Sequence, residues 1–259
     1  MKRALLFDMD GVLYNAEEPI AGAAEALQWV NERQIPHLFV TNTTSRGRVV
    51  LVEKLNRFGI CATADQILTP CRTTVAWLRH QPPGAVALFV REATRPEFEG
   101  LDCLPDDAES GAAYVIIGDL GEEWNYHSLN RAFRLLQANP RAPLIALGMT
   151  RYWQRADGLA LDVAPFVAAL ECATGRPPVV LGKPSAEFFH AAAEQLGLSP
   201  NEVVMIGDDI QADIGGAQAA GLRGVLVRTG KFRPGDLEGK VKPDDLLDSV
   251  ADLPDWWNT

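Results

Sequence analysis

Histidine and cysteine are scarce in this chain of 259 residues, four of each, and its 24 lysines and arginines are outnumbered by 34 aspartates and glutamates, giving a formal net charge of -10. The four cysteines, Cys61, Cys71, Cys103 and Cys172, show no Cys-x-x-Cys spacing. That scatter argues against a zinc site and a disulfide framework and predicts reduced, mostly structural thiols. The shortage of cations argues against nucleic-acid partners and anionic membranes, both of which rely on clustered Lys and Arg. No apolar run is long enough to span a bilayer, and the run after Met1-Lys2-Arg3 ends at Asp8, too short for a signal peptide. The expected setting is cytoplasmic. Fixed-period repeats and low-complexity tracts are missing too, so small-molecule chemistry in a folded protein is the class that remains.

What the chain has is alternation. Apolar strand-length runs at Leu5-Asp8, Pro36-Val40 and Val203-Gly207 alternate with helical spacing, such as Ile20, Ala24, Leu27 and Val30, or Val49, Val52, Leu55 and Phe58 after a capping Ser45. Strands buried on both faces imply a doubly wound parallel sheet, Rossmann-like, of the α/β class. Two breaks, Pro82-Pro83-Gly84 and Gly175-Arg176-Pro177-Pro178, bracket an insert with its own strands (Ala85-Val90, Tyr114-Gly118, Pro143-Leu147, Leu159-Val163) and helices. The expected organisation is a core of residues 1–78 and 179–259 with an α/β cap of residues 79–178 inserted between its parts.

Polar residues follow the core strands. Asp8, Thr41, Lys183 and Asp208 each follow an apolar run, and in parallel sheets ligands bind beyond the strands' carboxyl ends. Singly, each has a plain reading: a turn, a helix cap or a solvated lysine. Asp8-Met9-Asp10-Gly11 is not a calcium loop, because Leu13 and Pro19 stand where that loop needs Gly and Glu. Together the four stretches predict one site. Like-charge pairs among Asp8, Asp10, Asp208 and Asp213 would each repel by about 4 kcal/mol at close range, so a cation is needed. Oxygen-only ligands favour Mg²⁺ over Zn²⁺. Lys183 with the Thr41-Asn42 turn supplies positive charge and donors for a phosphoryl group, and the predicted chemistry is phosphoryl transfer. Asp8 is the expected nucleophile and Asp10 the general acid/base, with Asp8, Asp10 (through its carbonyl) and Asp208 around the metal.

Motif by motif, Asp8-Met9-Asp10-Gly11, Val40-Thr41-Asn42, Gly182-Lys183-Pro184 and Gly207-Asp208-Asp209-Ile210-Gln211-Ala212-Asp213 resemble the haloacid dehalogenase-like (HAD) superfamily across nearly the whole chain. The second Asp of the first motif marks that superfamily's phosphatases. The resemblance implies an aspartyl-phosphate intermediate, Mg²⁺ as cofactor, Asp208 as a direct metal ligand, and Asp209 and Asp213 behind the ligands. The inserted α/β cap resembles subclass IIA, which includes pyridoxal phosphatases and nitrophenylphosphatase-like enzymes. Leu161-Asp162-Val163-Ala164-Pro165-Phe166 and Val180-Leu181-Gly182-Lys183-Pro184-Ser185 are most similar to the branch containing phospholysine phosphohistidine inorganic pyrophosphate phosphatase. The chain departs from that pattern at Thr43, where the subclass often has Asn, and at Met149-Thr150, where the branch has Gly and Lys.

The expected activity is therefore hydrolysis of small phosphorylated metabolites. Two rivals use the same acids: a phospho-acceptor module of the receiver kind, without turnover, and a phosphomutase. An α/β insert between the threonine and the lysine has no purpose in a receiver. In the cap, Trp124, Asn125, Tyr126, Arg151, Tyr152, Trp153 and Arg155 combine flat faces with positive charge, and Arg151, Tyr152 and Trp153 in the stretch Met149 to Asp157 are candidate substrate contacts. Packing within the cap, or a homodimer through the cap, explains the same rings.

Overall fold

The first apolar run becomes a strand in the middle of a sheet. The computed structural model describes residues 4–155 and 158–258, and of residues 153–155 the backbone only. In chain order, β1 (Ala4–Asp8) leads to a short hairpin, β2 (Tyr14–Asn15) and β3 (Glu18–Pro19), then α1 (Ala23–Glu32), β4 (His37–Val40), α2 (Arg48–Arg57), β5 (Ile67–Leu68) and α3 (Pro70–Leu78). There follow β6 (Val86–Phe89), β7 (Tyr114–Ile117), α4 (Tyr126–Ala138), β8 (Leu144–Ala146), the pair β9 (Tyr152–Arg155) and β10 (Gly158–Leu161), α5 (Val163–Thr174) and β11 (Val179–Val180). The last stretch holds α6 (Ala186–Leu196), β12 (Val203–Gly207), a π-turn (Ile210–Gly215) that runs into α7 (Gly216–Ala219), β13 (Arg223–Val227), β14 (Asp245–Leu247) and α8 (Leu253–Trp257).

The chain divides into two compact units, one drawn from within Met1–Thr41, Arg48–Thr69 and Lys183–Thr259, the other from Asn42–Gly47 and Pro70–Gly182. The first unit holds a six-stranded sheet in the order β14-β13-β12-β1-β4-β5, parallel at every pairing. From β1 the chain moves outward through β4 to β5, and it later re-enters on the other side of β1 with β12. The direction therefore reverses between β1 and β12, the place where open parallel sheets take their ligands. Register pairs Phe7 with Ile206 and Asp8 with Val40, so the residues that follow all three strands emerge at one edge.

Both faces of this sheet are covered, which is why its strands read as unbroken apolar runs. Leu5 and Phe7 pack with Leu27, Val30, Leu51 and Leu55 on one face, while Leu6, Val40 and Met205 pack with Phe188, Phe189 and Ala192 of α6 on the other. Each such fully buried side chain contributes about 1.5–3 kcal/mol relative to exposure. The expected inward face of α2 needs correcting. Val49 is 66% exposed, and the buried residues are Leu51, Lys54 and Leu55. A series such as 49, 52, 55, 58 drifts around a 3.6-residue helix, which turns Val49 to solvent while Leu55 buries with Leu51 and Val52 and Phe58 pack partly against the same core.

The second unit has its own parallel sheet, β11-β8-β7-β6, with α4 and α5 on one face and α3 on the other. Two expected boundaries move. α3 lies in this unit because Cys71 and Val75 bury against Leu88, Ile116 and Ile145, and Val179–Val180 pairs with β8 instead of restarting the core. The predicted strand at Leu159-Val163 is β10, antiparallel to β9, and it ends where the Asp162 carboxylate accepts from Val163 N at 2.8 Å and starts α5. All four cysteines are free thiols, but only Cys71 is buried, so packing explains one of them. No described helix is long and apolar enough to cross a membrane.

Candidate active site

At the carboxyl ends of β1 and β12 three carboxylates converge: Asp8, Asp208 and Asp213 each offer an oxygen within 4.8 Å of the others, and all three are buried. Two arrive directly from strands. Asp213 arrives from the π-turn after β12, placed by the Asp209 carboxylate, which accepts from Gln211 N and Ala212 N and so caps that turn. Lys183 is almost fully buried among them, donating to Asp8 Oδ1 at 2.7 Å and to Asp213 Oδ1 at 2.6 Å. Contrary to the expected pattern, it does not follow a strand of the six-stranded sheet; it comes three residues after β11, the edge strand of the second unit's sheet.

The charges are not balanced within the protein. One buried lysine stands among three buried acids, and Lys231, whose Nζ is 3.4 Å from Asp209, adds a more exposed charge near Asp208. Burial, followed by the neighbouring Asp8 charge, pushes the Asp208 carboxyl up to about 7. Burial also lifts Asp213 to about 6, against the pull of Lys183. Burial opposes the charge on Lys183, but Asp213 and Asp8 outweigh it and hold the ammonium well above the ordinary lysine range. Asp209 moves the other way: its burial is outweighed by the Ala212 and Gln211 amides and by Lys231, which keep it below the usual carboxylate range.

These residues fit a hard divalent cation. Asp208 is 1% exposed, its Oδ2 accepts from Lys231 N at 2.7 Å, and its Oδ1 is buried with no hydrogen-bond donor among the described residues. An orphaned buried carboxylate oxygen costs about 1–3 kcal/mol or more unless a partner satisfies it. Asp213 differs, because both of its oxygens are engaged, by Lys183 Nζ and by Asp209 N at 3.1 Å. Space around Asp208 is kept by two glycines in left-handed conformations: a Cβ on Gly11 or Gly230 would lie 2.0 or 2.1 Å from Asp208 Oδ2.

The other predicted residues separate. The carboxylate of Asp10 is exposed on the turn after β1, with Ala16 N 3.4 Å from its Oδ1, so it stands outside the buried cluster. Thr41 follows Val40, the partner of Asp8 on the adjacent strand, and donates its amide to Leu68 O. Asn42, Arg151 and Tyr152 belong to the second unit. There Arg151 and Tyr152 are exposed, the guanidinium 5.9 Å from the ring centroid. The side chains of Trp153 and Arg155 lie outside the described residues, as do residues 156 and 157 of the expected substrate loop. Trp124 and Asn125 have structural work: the indole stacks between Phe89 and Phe166 and donates to Gly118 O, and Asn125 caps α4 by accepting from Ser128 N.

Sequence reasoning missed Thr229, Gly230 and Lys231. They follow β13, the Thr229 hydroxyl donates to Gly11 O, and the Lys231 amide holds Asp208. The rule that found Asp8 and Asp208, polar residues just past an apolar strand, applies to this stretch too.

A model described as haloacid dehalogenase-like hydrolase matches residues 5–103, and a HAD-hydrolase-like model matches residues 180–253. The chain is 37% identical over 258 residues to phospholysine phosphohistidine inorganic pyrophosphate phosphatase of Homo sapiens, covering 98% of this chain and 93% of that one. It is 41% identical over 245 residues to haloacid dehalogenase-like hydrolase domain-containing protein 2 of Bos taurus, covering 95% and 91%. Among solved structures, p-nitrophenyl phosphatase from Archaeoglobus fulgidus is similar with a TM-score of 0.87 at 29% identity, covering 98% of this chain and 99% of that one.

Proposed function

The chain belongs to the haloacid dehalogenase-like hydrolase family, and from that membership and the site's geometry we propose that it is a Mg²⁺-dependent phosphatase of small phosphorylated metabolites. The observation that carries this reading is the buried trio of Asp8, Lys183 and Asp208 at the sheet's reversal point, with an unsatisfied oxygen on Asp208. Asp8 and Asp208, with the backbone carbonyl of Asp10, would hold the cation. When bound, Mg²⁺ supplies neutralisation of the phosphoryl oxygens.

Lys183 aims Asp8, because its buried ammonium donates a charge-assisted hydrogen bond to the carboxylate at 2.7 Å. In the first half-reaction an Asp8 oxygen bonds to phosphorus as the ester P–O bond breaks, and Asp10 gives its proton to the departing oxygen. In the second, Asp10 takes a proton from water as that water attacks phosphorus, releasing inorganic phosphate and restoring Asp8. The two acids have these unequal roles because their settings differ: Asp8 is buried beside a lysine, whereas Asp10 is on an exposed turn where protons exchange with solvent.

The testing experiment is a screen of phosphate esters, p-nitrophenyl phosphate among them, for multiple-turnover release of phosphate with and without Mg²⁺. Sustained release that stops on chelation is expected. A stable aspartyl phosphate with no turnover would instead establish the phospho-acceptor module, and phosphate delivered to a sugar rather than water would establish the phosphomutase.

A further inference from the structure

Lys54 on α2 is buried, 5% exposed, although nothing in the phosphate site uses it. Its ammonium lies 4.0 Å from the ring centroid of Tyr14 and 6.0 Å from that of Phe58, and 3.3 Å from Glu17 Oε1. Tyr14 and Glu17 are not neighbours of α2 in sequence; they belong to the hairpin that follows Asp10-Gly11. A second cation, Arg57, reaches the other oxygen of Glu17 at 3.5 Å. One face of α2 therefore grips both the first strand and the tip of that hairpin.

The hairpin needs such a grip. Its strands are two residues each, pairing Tyr14 with Pro19 and Asn15 with Glu18, and so small a ribbon is not stable alone. Its two-residue turn begins at Ala16, which has a φ of +49°, a left-handed conformation that favours glycine. Strained non-glycine backbone persists where the surroundings hold it. Here it turns the Ala16 N–H toward Asp10 Oδ1 at 3.4 Å, while Gly11 N donates to Tyr14 O at 2.7 Å and Asp10 bridges to Tyr14. These hairpin contacts to Asp10 and Gly11 run through residues that Lys54 touches or that adjoin them, while the Thr229 hydroxyl holds Gly11 O from the other side.

We propose that Lys54 is a positioning residue for Asp10: by clamping Tyr14 and Glu17 it holds the hairpin so that the carboxylate of Asp10 stands ready to protonate the leaving group. This rests on the role given to Asp10 above. An ammonium against an aromatic face and a carboxylate is suited to that task, since both attractions weaken if the hairpin shifts.

The test uses leaving groups. A badly placed acid matters little for p-nitrophenyl phosphate, whose leaving group departs without a proton, and much for an alkyl phosphate, whose leaving group does not. For Lys54→Met the ratio of kcat/KM for p-nitrophenyl phosphate to that for an alkyl phosphate turned over by the wild type is expected to rise at least about tenfold, and for Glu17→Gln, at an exposed residue that is safe for folding, about threefold. Because the ratio is taken on one enzyme sample, it does not change with the fraction folded. Asp10→Asn is the reference. If Asp10→Asn raises the ratio and neither Lys54→Met nor Glu17→Gln does, the clamp is refuted and the phosphatase mechanism stands. If Asp10→Asn leaves the ratio unchanged, the acid role fails and the clamp falls with it.

Discussion

Lys183 Nζ bonds Asp213 Oδ1 at 2.6 Å while also bonding Asp8 Oδ1 at 2.7 Å, so the lysine that faces the proposed nucleophile is anchored from behind by a second acid. Buried ion pairs add little net stability when intact, but losing one member strands the other, at about 3–5 kcal/mol. Lys183→Met would strand two acids, Asp8 and Asp213. Equilibrium unfolding of the metal-free variant at pH 8 is expected to show a loss in that range, shrinking as the pH falls to 5 and the acids protonate. A loss below 1 kcal/mol at pH 8 would mean that the acids do not depend on Lys183.

The raised acids fix the sign of a pH effect. An aspartate in the unfolded chain titrates near about 3.9, whereas Asp208 and Asp213 titrate at about 7 and about 6 when folded without metal. Between these values the folded state binds more protons, so the stability that they contribute is present below about pH 4 and lost as pH rises toward 7. Mg²⁺ binds the ionised acids. It is therefore expected to raise the melting temperature more at pH 8 than at pH 5.5, and this difference should shrink in Asp208→Asn. Equal shifts at the two pH values would contradict the placement of the cation beside Asp208.

Asp8→Asn keeps the shape of the strand end and removes the attacking oxygen's charge. Turnover is expected to vanish with the fold intact by circular dichroism; activity within about tenfold of wild type would reject Asp8 as the nucleophile. Asp10→Asn is expected to turn over slowly and to accumulate aspartyl phosphate with p-nitrophenyl phosphate, because attack proceeds while water activation does not. Acid-quenched labelling that finds no phosphoenzyme would contradict the division of roles between the two acids.

Much of this site is legible in the sequence because parallel strands buried on both faces must be apolar to their ends, which makes the first polar residue conspicuous. Asp8, Thr41 and Asp208 were visible for that reason. Lys183 was visible as a residue but not in its route, since two-residue strands such as Val179–Val180 do not announce which sheet they join. On α2 the sequence misplaces Val49 and hides Lys54, because a buried lysine breaks the apolar pattern and only the three-dimensional meeting with Tyr14 and Glu17 accounts for it. For Trp124 the sequence leaves packing and binding open, because a stacked core tryptophan and a binding tryptophan read alike in one dimension, and the structure shows it stacked between Phe89 and Phe166. The contribution of the Lys231 backbone was hidden for a simpler reason: an amide carries no side-chain signature.

That last contact leads to a test of the glycines. Gly230 has a φ of +62°, and a Cβ there would stand 2.1 Å from Asp208 Oδ2 and 2.5 Å from the Cα of Gly11. Neither neighbour yields easily, since Asp208 is held by Lys231 N and Gly11 by the Thr229 hydroxyl. Gly230→Ala must therefore displace the Asp208 carboxylate or open the loop, and the left-handed backbone alone costs an alanine about 1–3 kcal/mol. If Asp208 holds the cation, the displacement should appear as a Mg²⁺ requirement raised at least about tenfold, equivalent to about 1.4 kcal/mol of binding, while kcat at saturating Mg²⁺ falls less. Gly235, which has open space around it, is the control: Gly235→Ala should leave the Mg²⁺ titration in place. An unchanged titration in Gly230→Ala, with stability reduced, would show that the glycine serves the loop's conformation and not the metal ligand beside it.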